Sequence, residues 1–366
     1  MEVRAALLTD GAGGLTVGSV TVDEPGPHEV LVRTAACGIC HSDLHGLEGT
    51  LQPPLPSVLG HEASGVVEAV GDEVSGFAPG DHVVACISRF CGACPACARH
   101  ETWLCQRRDQ PPLARPESAT PRLAHEGTAA GQFLGVGGLA EAFLVHEHSL
   151  ARISKDVPLD IASLLGCGVL TGYGTVVNRA RVRPGESVVV VGCGGVGLSA
   201  IQAAAISGAS PIIAIDLHDH ALELASELGA TVTINASFDN PVKMVRGLTA
   251  GGADHAIEAI GLPKTMEDVV DMVRPGGTAY CIGIAPIPST MEVSAFRLVW
   301  FNRGLQGVLM GASHFRQDIP ALADLYLAGR LDLDRLLTER LPLERATEGF
   351  EAMRAGSLGR SAVVFD

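Results

Sequence analysis

Four thiols stand close together at Cys91, Cys94, Cys97 and Cys105, within "CGACPACARHETWLC", at the spacing C-x2-C-x2-C-x7-C. Four thiolates close a tetrahedral shell around Zn²⁺ and leave no position for water or substrate, so such a site folds a loop and does not catalyse. The same C-x2-C-x2-C run also fits an iron–sulfur motif, and in an oxidising compartment the thiols would pair as disulfides. The N-terminus "MEVRAALLTDGAGG" carries Glu2, Arg4 and Asp10 and has no long apolar core, unlike a secretory signal. A reducing, cytoplasmic setting is therefore expected for the ten cysteines, and zinc is favoured over disulfides.

A second chemistry is written in "SVVVVGCGGVGLSAIQAAA", where Gly192-x-Gly194-x-x-Gly197 follows a four-valine run and opens a helical pattern. In that context Gly192 permits a tight turn and Gly194 lets a pyrophosphate approach the backbone. Gly197 lets helix and strand pack closely, and the amides around Gly195 and Val196 face the phosphates. Asp216, at the end of the next apolar run, is placed to accept hydrogen bonds from the adenosine ribose hydroxyls. Leu217 and His218 follow it, with no arginine to receive a 2′-phosphate, so NAD is expected over NADP. The plain alternative is a glycine-rich turn inside an ordinary α/β core.

These residues need two kinds of scaffold. Up to about residue 105 the chain is a series of short Val-rich runs ("EVLVRTAACGIC", "ASGVVEAVGDEV", "GDHVVACIS") separated by Gly, Pro and Asp turns, a β-rich pattern. From Cys105 to about Phe133 it is polar and Pro-rich, and a long surface loop is expected. Beyond residue 165, apolar runs at Val188–Val191, 211–215, 232–234, 253–259 and 278–284 alternate with helical patterns, which implies a doubly wound parallel sheet. The uncharged stretch between Glu186 and Asp216 is long enough to span a bilayer, but its glycines and Pro211 break it into strand, turn, helix and strand. With 47% hydrophobic and 18% charged residues, a soluble two-domain protein is expected. A net charge of −15 opposes nucleic acid or an anionic membrane as partner.

"GHEASGVVEAVG" (residues 60–71) resembles the G-H-E-x2-G-x5-G signature of the zinc-containing medium-chain alcohol dehydrogenases. The likeness continues through "GICHSDLH", the four-cysteine cluster, "GCGVLTGYGTVV", "VVVVGCGGVG", "GLQGVLMG" and "GRSAVVFD", across essentially the whole chain. It implies a GroES-like catalytic domain over residues 1–168 with a structural-zinc lobe at about 88–110. A Rossmann-type domain over 169–305 follows, and 306–366 returns to the first. The long segment between Cys105 and Cys167 resembles the dimeric, long-loop subgroup, so a homodimer is expected.

Residue by residue, the resemblance assigns Cys40, His61 and Cys167 to a catalytic zinc, and Cys91, Cys94, Cys97 and Cys105 to a structural one. Read singly, Cys40, Cys167 and His61 would pass as core residues. Asp43 would orient His61, and Glu62 would lie near the metal. Ser42 and His45 match a relay that carries the alcohol proton through the nicotinamide ribose to solvent. Thr171, Gly192, Gly194, Gly195, Val196, Gly197, Asp216, Ile282, Ile284 and Arg360 match cofactor contacts, Arg360 on the pyrophosphate. His41 stands where many members carry arginine, which implies a weaker, more pH-dependent hold on NAD. Ser42, Leu51, Ile87, Phe133, Leu134 and Ile284 match the substrate pocket, and Ile87 replaces a large aromatic, which implies room for a medium-sized or aromatic alcohol. The implied reaction is reversible hydride transfer between an alcohol and NAD, giving an aldehyde or ketone. The alternatives are a thiol-adduct formaldehyde dehydrogenase, for which Arg107, Arg108 and Asp109 offer a partial match, a nicotinoprotein that retains its NAD, and a redox-inactive NAD-binding relative.

Overall fold

The computed structural model describes residues 1–10, 14–110, 113–116, 118–356 and 359–366. They form two compact units, Met1–Cys167 with His314–Asp366, and Gly168–Ser313.

All four valines of Val188–Val191 are buried, and a strand covered on both faces reads as a continuous apolar run. It lies inside a parallel six-stranded sheet with the order Val232–Asn235, Ile212–Asp216, Val188–Val191, Ala253–Glu258, Val273–Cys281, Gly304–Gly307. Helices Gly195–Ile206, Asp219–Glu227, Pro241–Leu248 and Pro263–Met272 connect the strands. This is the doubly wound order, whose ligand crevice lies beyond the carboxyl ends of the strands at the point where the order reverses. The uncharged stretch 187–215 is thus strand, helix and strand, and among the described residues no single helix is long and apolar enough to cross a membrane.

Helix Pro241–Leu248 carries no strong apolar run in the sequence. Its start is nonetheless signalled, since the Asn240 side chain accepts a hydrogen bond from Lys243 N–H at 3.0 Å and Pro241 occupies the first turn. The boundary expected at 305/306 falls at 313/314 instead. Residues 310–312 fold onto helix Gly168–Gly174, so closely that a Cβ on Gly174 would meet Gly311 O at 2.4 Å.

In the first unit Glu29–Gly38 is central. Val30 and Val32 enter one core with Phe133, Leu139 and Phe143, while Leu31 enters another with Val20, Val58 and Leu123, the two-residue period of a strand buried on both faces. It pairs antiparallel with Glu62–Val70, Ala142–His146 and the last strand, Arg360–Val364. The segment after Cys105 is not the surface loop expected of it. Leu113 and Leu123 are buried, and Arg115 and Arg122 each reach the buried Glu29 carboxylate at 2.6 Å. Burial pushes the Glu29 carboxyl up, but the two guanidiniums outweigh it and hold its pKa below the ordinary value.

Candidate active site and metal centres

Strand register assembles the scattered ligands. Gly38 is opposite Glu62, so Cys40, two residues past one strand, and His61, just before the other, emerge at the same end. Cys40 also begins helix His41–Leu47. Cys167 arrives from the short helical turn Leu164–Gly166, where a Cβ on Gly166 would stand 2.5 Å from Ala85 O. Only glycine allows that approach.

One donor atom from each of Cys40, His61, Glu62 and Cys167 lies within 4.8 Å of the others, and all four residues are buried. Asp43 Oδ2 lies 2.9 Å from His61 Nδ1, while Asp43 Oδ1 accepts the Gly60 N–H at 2.9 Å. With the carboxylate beside Nδ1, the ring's other nitrogen, Nε2, is available as a ligand. Hydrogen bonding from Cys167 and the nearby His61 hold the Cys40 thiol well below its ordinary pKa, while Cys167 is raised. Burial pushes the Glu62 carboxyl up to about 7, although Arg360 opposes the shift. Two sulfurs and one imidazole nitrogen suit Zn²⁺ and leave a coordination position open.

Arg360, matched to the cofactor in the sequence, has a partner inside the first unit. It is buried, and its Nη2 is paired with the Glu62 carboxylate at the edge of the donor set. The pairing follows from the register that lays Arg360–Val364 beside Glu29–Gly38, and no local sequence signal announces it.

The four-cysteine cluster differs in kind. Its sulfurs lie within 4.8 Å of one another, with Cys94 to Cys97 at 3.5 Å and Cys94 to Cys105 at 4.0 Å. None of the ten cysteines is disulfide-bonded, and these separations far exceed the roughly 2.05 Å of a disulfide. Backbone N–H groups of Cys97 and Gln106 pull the Cys94 thiol down to about 6, as suits a thiolate ligand. Among the described residues no imidazole or carboxylate joins this donor group.

Within Gly168–Ser313, the glycine motif has the shape a dinucleotide requires. Gly192 has φ +94°, and a Cβ on Gly197 would collide with Gly192 O at 1.8 Å. A Cβ on Gly194 would meet nothing within 4 Å, so the space beside it is open, and helix Gly195–Ile206 carries no side-chain cap. Those features fit a bound pyrophosphate. Asp216 Oδ2 accepts the Cys193 N–H at 2.7 Å and Oδ1 accepts Leu217 N–H at 2.7 Å, which aligns the carboxylate beside the motif. Thr171 is buried with its hydroxyl 3.8 Å from the Met310 sulfur. Ile282 and Ile284 follow strand Val273–Cys281, and Ile284 is exposed.

Helix His41–Leu47 carries His41 in an exposed position, and Ser42 and His45, three residues apart, share a face. His45 Nδ1 is buried without a hydrogen-bond partner. Phe133 sits edge-on to His61, with ring centroids 6.3 Å apart, and Leu51, Ile87 and Leu134 pack on the same core. Sequence reasoning missed the glycines that make room for this site. A Cβ on Gly46 would press on the Phe133 ring at 2.8 Å, and one on Gly38 would collide with the Glu62 carboxylate.

Residues 26–155 match the alcohol dehydrogenase GroES-like domain family, and residues 195–328 match the zinc-binding dehydrogenase family. An alcohol dehydrogenase zinc-binding domain protein from Burkholderia ambifaria is similar over 100% of this chain and 99% of its own, at 34% identity and TM-score 0.95. Benzyl alcohol dehydrogenase from Acinetobacter calcoaceticus is similar over the full length of both chains, at 30% identity and TM-score 0.94. A putative zinc-binding dehydrogenase from Sinorhizobium meliloti, bound to NADP, is similar over 100% of both chains, at 26% identity and TM-score 0.84. With zinc-type donors, a dinucleotide cradle and matches of this length, the chain belongs to the zinc-containing medium-chain alcohol dehydrogenases and is an oxidoreductase of that type.

Proposed function

We propose that the protein interconverts an alcohol with its aldehyde or ketone, using NAD and two zinc ions per chain. The observation that carries this reading is the buried Cys40–His61–Cys167 donor set with Asp43 locked onto the far side of the imidazole. Zinc held there supplies Lewis acidity to the alcohol oxygen, and a bound nicotinamide supplies the hydride acceptor.

The chain's own residues do the rest. Asp43 keeps His61 Nδ1 engaged so that Nε2 stays directed at the donor cluster. Ser42 and His45, on one helical face, are the chain's relay groups: the Ser42 hydroxyl accepts the alcohol proton as it gives up its own, and His45, further along the relay, releases a proton toward solvent. Asp216 receives the ribose hydroxyls and repels a 2′-phosphate, which supports NAD as the cofactor. Phe133, Leu51, Ile87 and Leu134 give the neighbourhood of His61 an apolar wall, which supports a medium-sized or aromatic alcohol, and the similar A. calcoaceticus protein is named for benzyl alcohol. Arg108 is turned onto its own lobe, donating to Cys105 O at 3.3 Å and Trp103 O at 3.1 Å, so it does not serve as the basic residue a thiol adduct would need.

A homodimer is part of the reading. Gly304–Gly307 is an edge strand, and helix Ala295–Trp300 next to it in sequence exposes Phe296, Val299 and Trp300, the kind of surface a second copy covers. The test is reduction of NAD⁺ and NADP⁺ with a panel of primary, secondary and aromatic alcohols, alongside metal analysis. Alcohol-dependent NADH formation by zinc-loaded protein is expected, with aromatic and medium-chain alcohols and NAD⁺ preferred. Zinc-loaded, folded protein that turns over no alcohol would refute the reading.

A further inference from the structure

The turn that carries Phe133 is held in an uncommon backbone conformation. Leu134, Gly135 and Gly137 have φ of +50°, +74° and +65°; the glycines take this region freely, but the left-handed Leu134 persists only where surrounding groups hold it. Part of that hold is local, since Gln132 Nε2 donates to Val136 O at 2.8 Å and to Leu144 O at 2.9 Å. Val136 N–H donates to Phe133 O at 3.1 Å across the turn, and Arg89 adds a contact from outside it. Its guanidinium donates to Gly135 O at 3.4 Å, to Arg108 O at 2.5 Å and to the Asp109 carboxylate. The side chain is 13% exposed and passes so close to Gly135 that a Cβ there would stand 1.7 Å from Nη1. Arg108 in turn donates to the carbonyls of Cys105 and Trp103. An unbroken set of polar contacts therefore runs from the four-cysteine lobe through Arg108 and Arg89 to the turn whose Phe133 ring lies against His61.

We infer that Arg89 is a positioning residue for the substrate pocket, a strut through which the four-cysteine lobe sets the place of Phe133 and Leu134 beside the metal cluster. The inference rests on the alcohol-pocket reading above. Arginine suits the task because its planar fork serves three acceptors at fixed angles, which a lysine ammonium does not. The lobe then contributes to selectivity without touching substrate, and the hydrogen bonds of Arg89 go to Gly135 O, Arg108 O and Asp109, not to Cys40, His61, Cys167 or the Ser42–His45 pair.

The test compares wild type, Arg89→Lys, Arg89→Met and Asp109→Ala, the last removing an exposed end of the strut without disturbing buried structure. Amide hydrogen exchange over residues 132–137 is measured together with kcat and KM for a graded series of straight-chain and aromatic alcohols. Arg89→Met should speed exchange across 132–137 by about tenfold or more, with Arg89→Lys and Asp109→Ala intermediate. The ratio of kcat/KM between the largest and smallest accepted alcohols should change by about fivefold or more, through KM, while kcat for the smallest stays within about twofold. Unchanged exchange over 132–137 would overturn the inference, and so would faster exchange with every alcohol affected by the same factor. A wild type that oxidises none of the alcohols would instead refute the functional reading, and the exchange comparison would still decide whether the strut exists.

Discussion

The four-cysteine lobe and the Cys40–His61–Cys167 cluster use overlapping ligand chemistry and are built in opposite ways. The lobe's donors all come from residues 91–105, and a short helix beginning after Cys94 with a few backbone amides is enough to gather them. The other set draws one residue from each of three distant segments, and strand register, a glycine approach at Gly166 and the Asp43 clamp bring them together. Four thiolates saturate a zinc ion, whereas two thiolates and an imidazole leave room for a reacting oxygen. On the proposed reading, density of ligands in sequence marks the scaffold and dispersal the working metal, because an open site has to be held from several directions.

The sharpest way to break this division is a pair of serine substitutions. Cys40→Ser should lower kcat/KM by about a thousandfold or more, the value of a Lewis acid worth several kcal/mol, in a protein with wild-type circular dichroism. Cys94→Ser should lower soluble yield and the thermal midpoint by about 10 °C or more, because a structural zinc contributes its binding energy to folding. A folded, stable Cys94→Ser protein defective only in turnover would reverse the two roles.

Asp43→Asn comes next in expected size. The amide keeps the shape of the side chain but not the charge that fixes the His61 tautomer, and a loss of about 10–100-fold in zinc affinity or activity is expected. Competition with a chelator reads the affinity separately from turnover. The lobe has no carboxylate support of this type, so its zinc should be retained in the same variant.

His41→Arg probes the cofactor side with a smaller effect. Desolvation holds the His41 imidazole below its ordinary pKa, so if His41 meets the phosphates as proposed, a permanent cation in its place should tighten the NAD Kd by about three- to tenfold and flatten its pH dependence. An unchanged or weaker affinity would show that His41 does not meet the cofactor.

The smallest effect belongs to pH and acts beside the lobe. His148 stacks on Phe90, which precedes Cys91, with ring centroids 4.7 Å apart, and its Nδ1 lies 2.8 Å from Phe90 O. Behind it His146 is buried, and burial together with His148, Arg122 and His28 pushes it down to about 3 against the opposing Glu29. A histidine with a depressed folded pKa favours the folded state fully above its unfolded value of 6.5, and that stability is lost as pH falls toward about 3. Thermal midpoints should therefore fall as pH drops below 6.5, and His146→Phe should flatten the slope. A slope identical to wild type would remove His146 from the account.

The sequence made some of this plain and hid the rest for physical reasons. The glycine motif was legible because each glycine answers a local need: a positive φ at Gly192, open space at Gly194 and close packing at Gly197. Parallel strands such as Val188–Val191 were legible because burial on both faces leaves an unbroken apolar run. Helix Ala295–Trp300 escaped notice because its large apolar side chains are exposed, so no amphipathic pattern marks it. The segment after Cys105 looked like a surface loop because Arg115 and Arg122 read as solvent-facing until Glu29 is found buried between them. Arg89 and the Arg360–Glu62 pair depend on approaches between distant residues, which no window along the chain contains.

Zinc content per chain, measured on wild type and Cys40→Ser at matched purity, tests the central claim most directly. The account predicts two zinc ions in the wild type and one in the variant, which stays folded, keeps its lobe zinc and loses turnover. A Cys40→Ser protein that retains both zinc ions and turns over alcohol would contradict it.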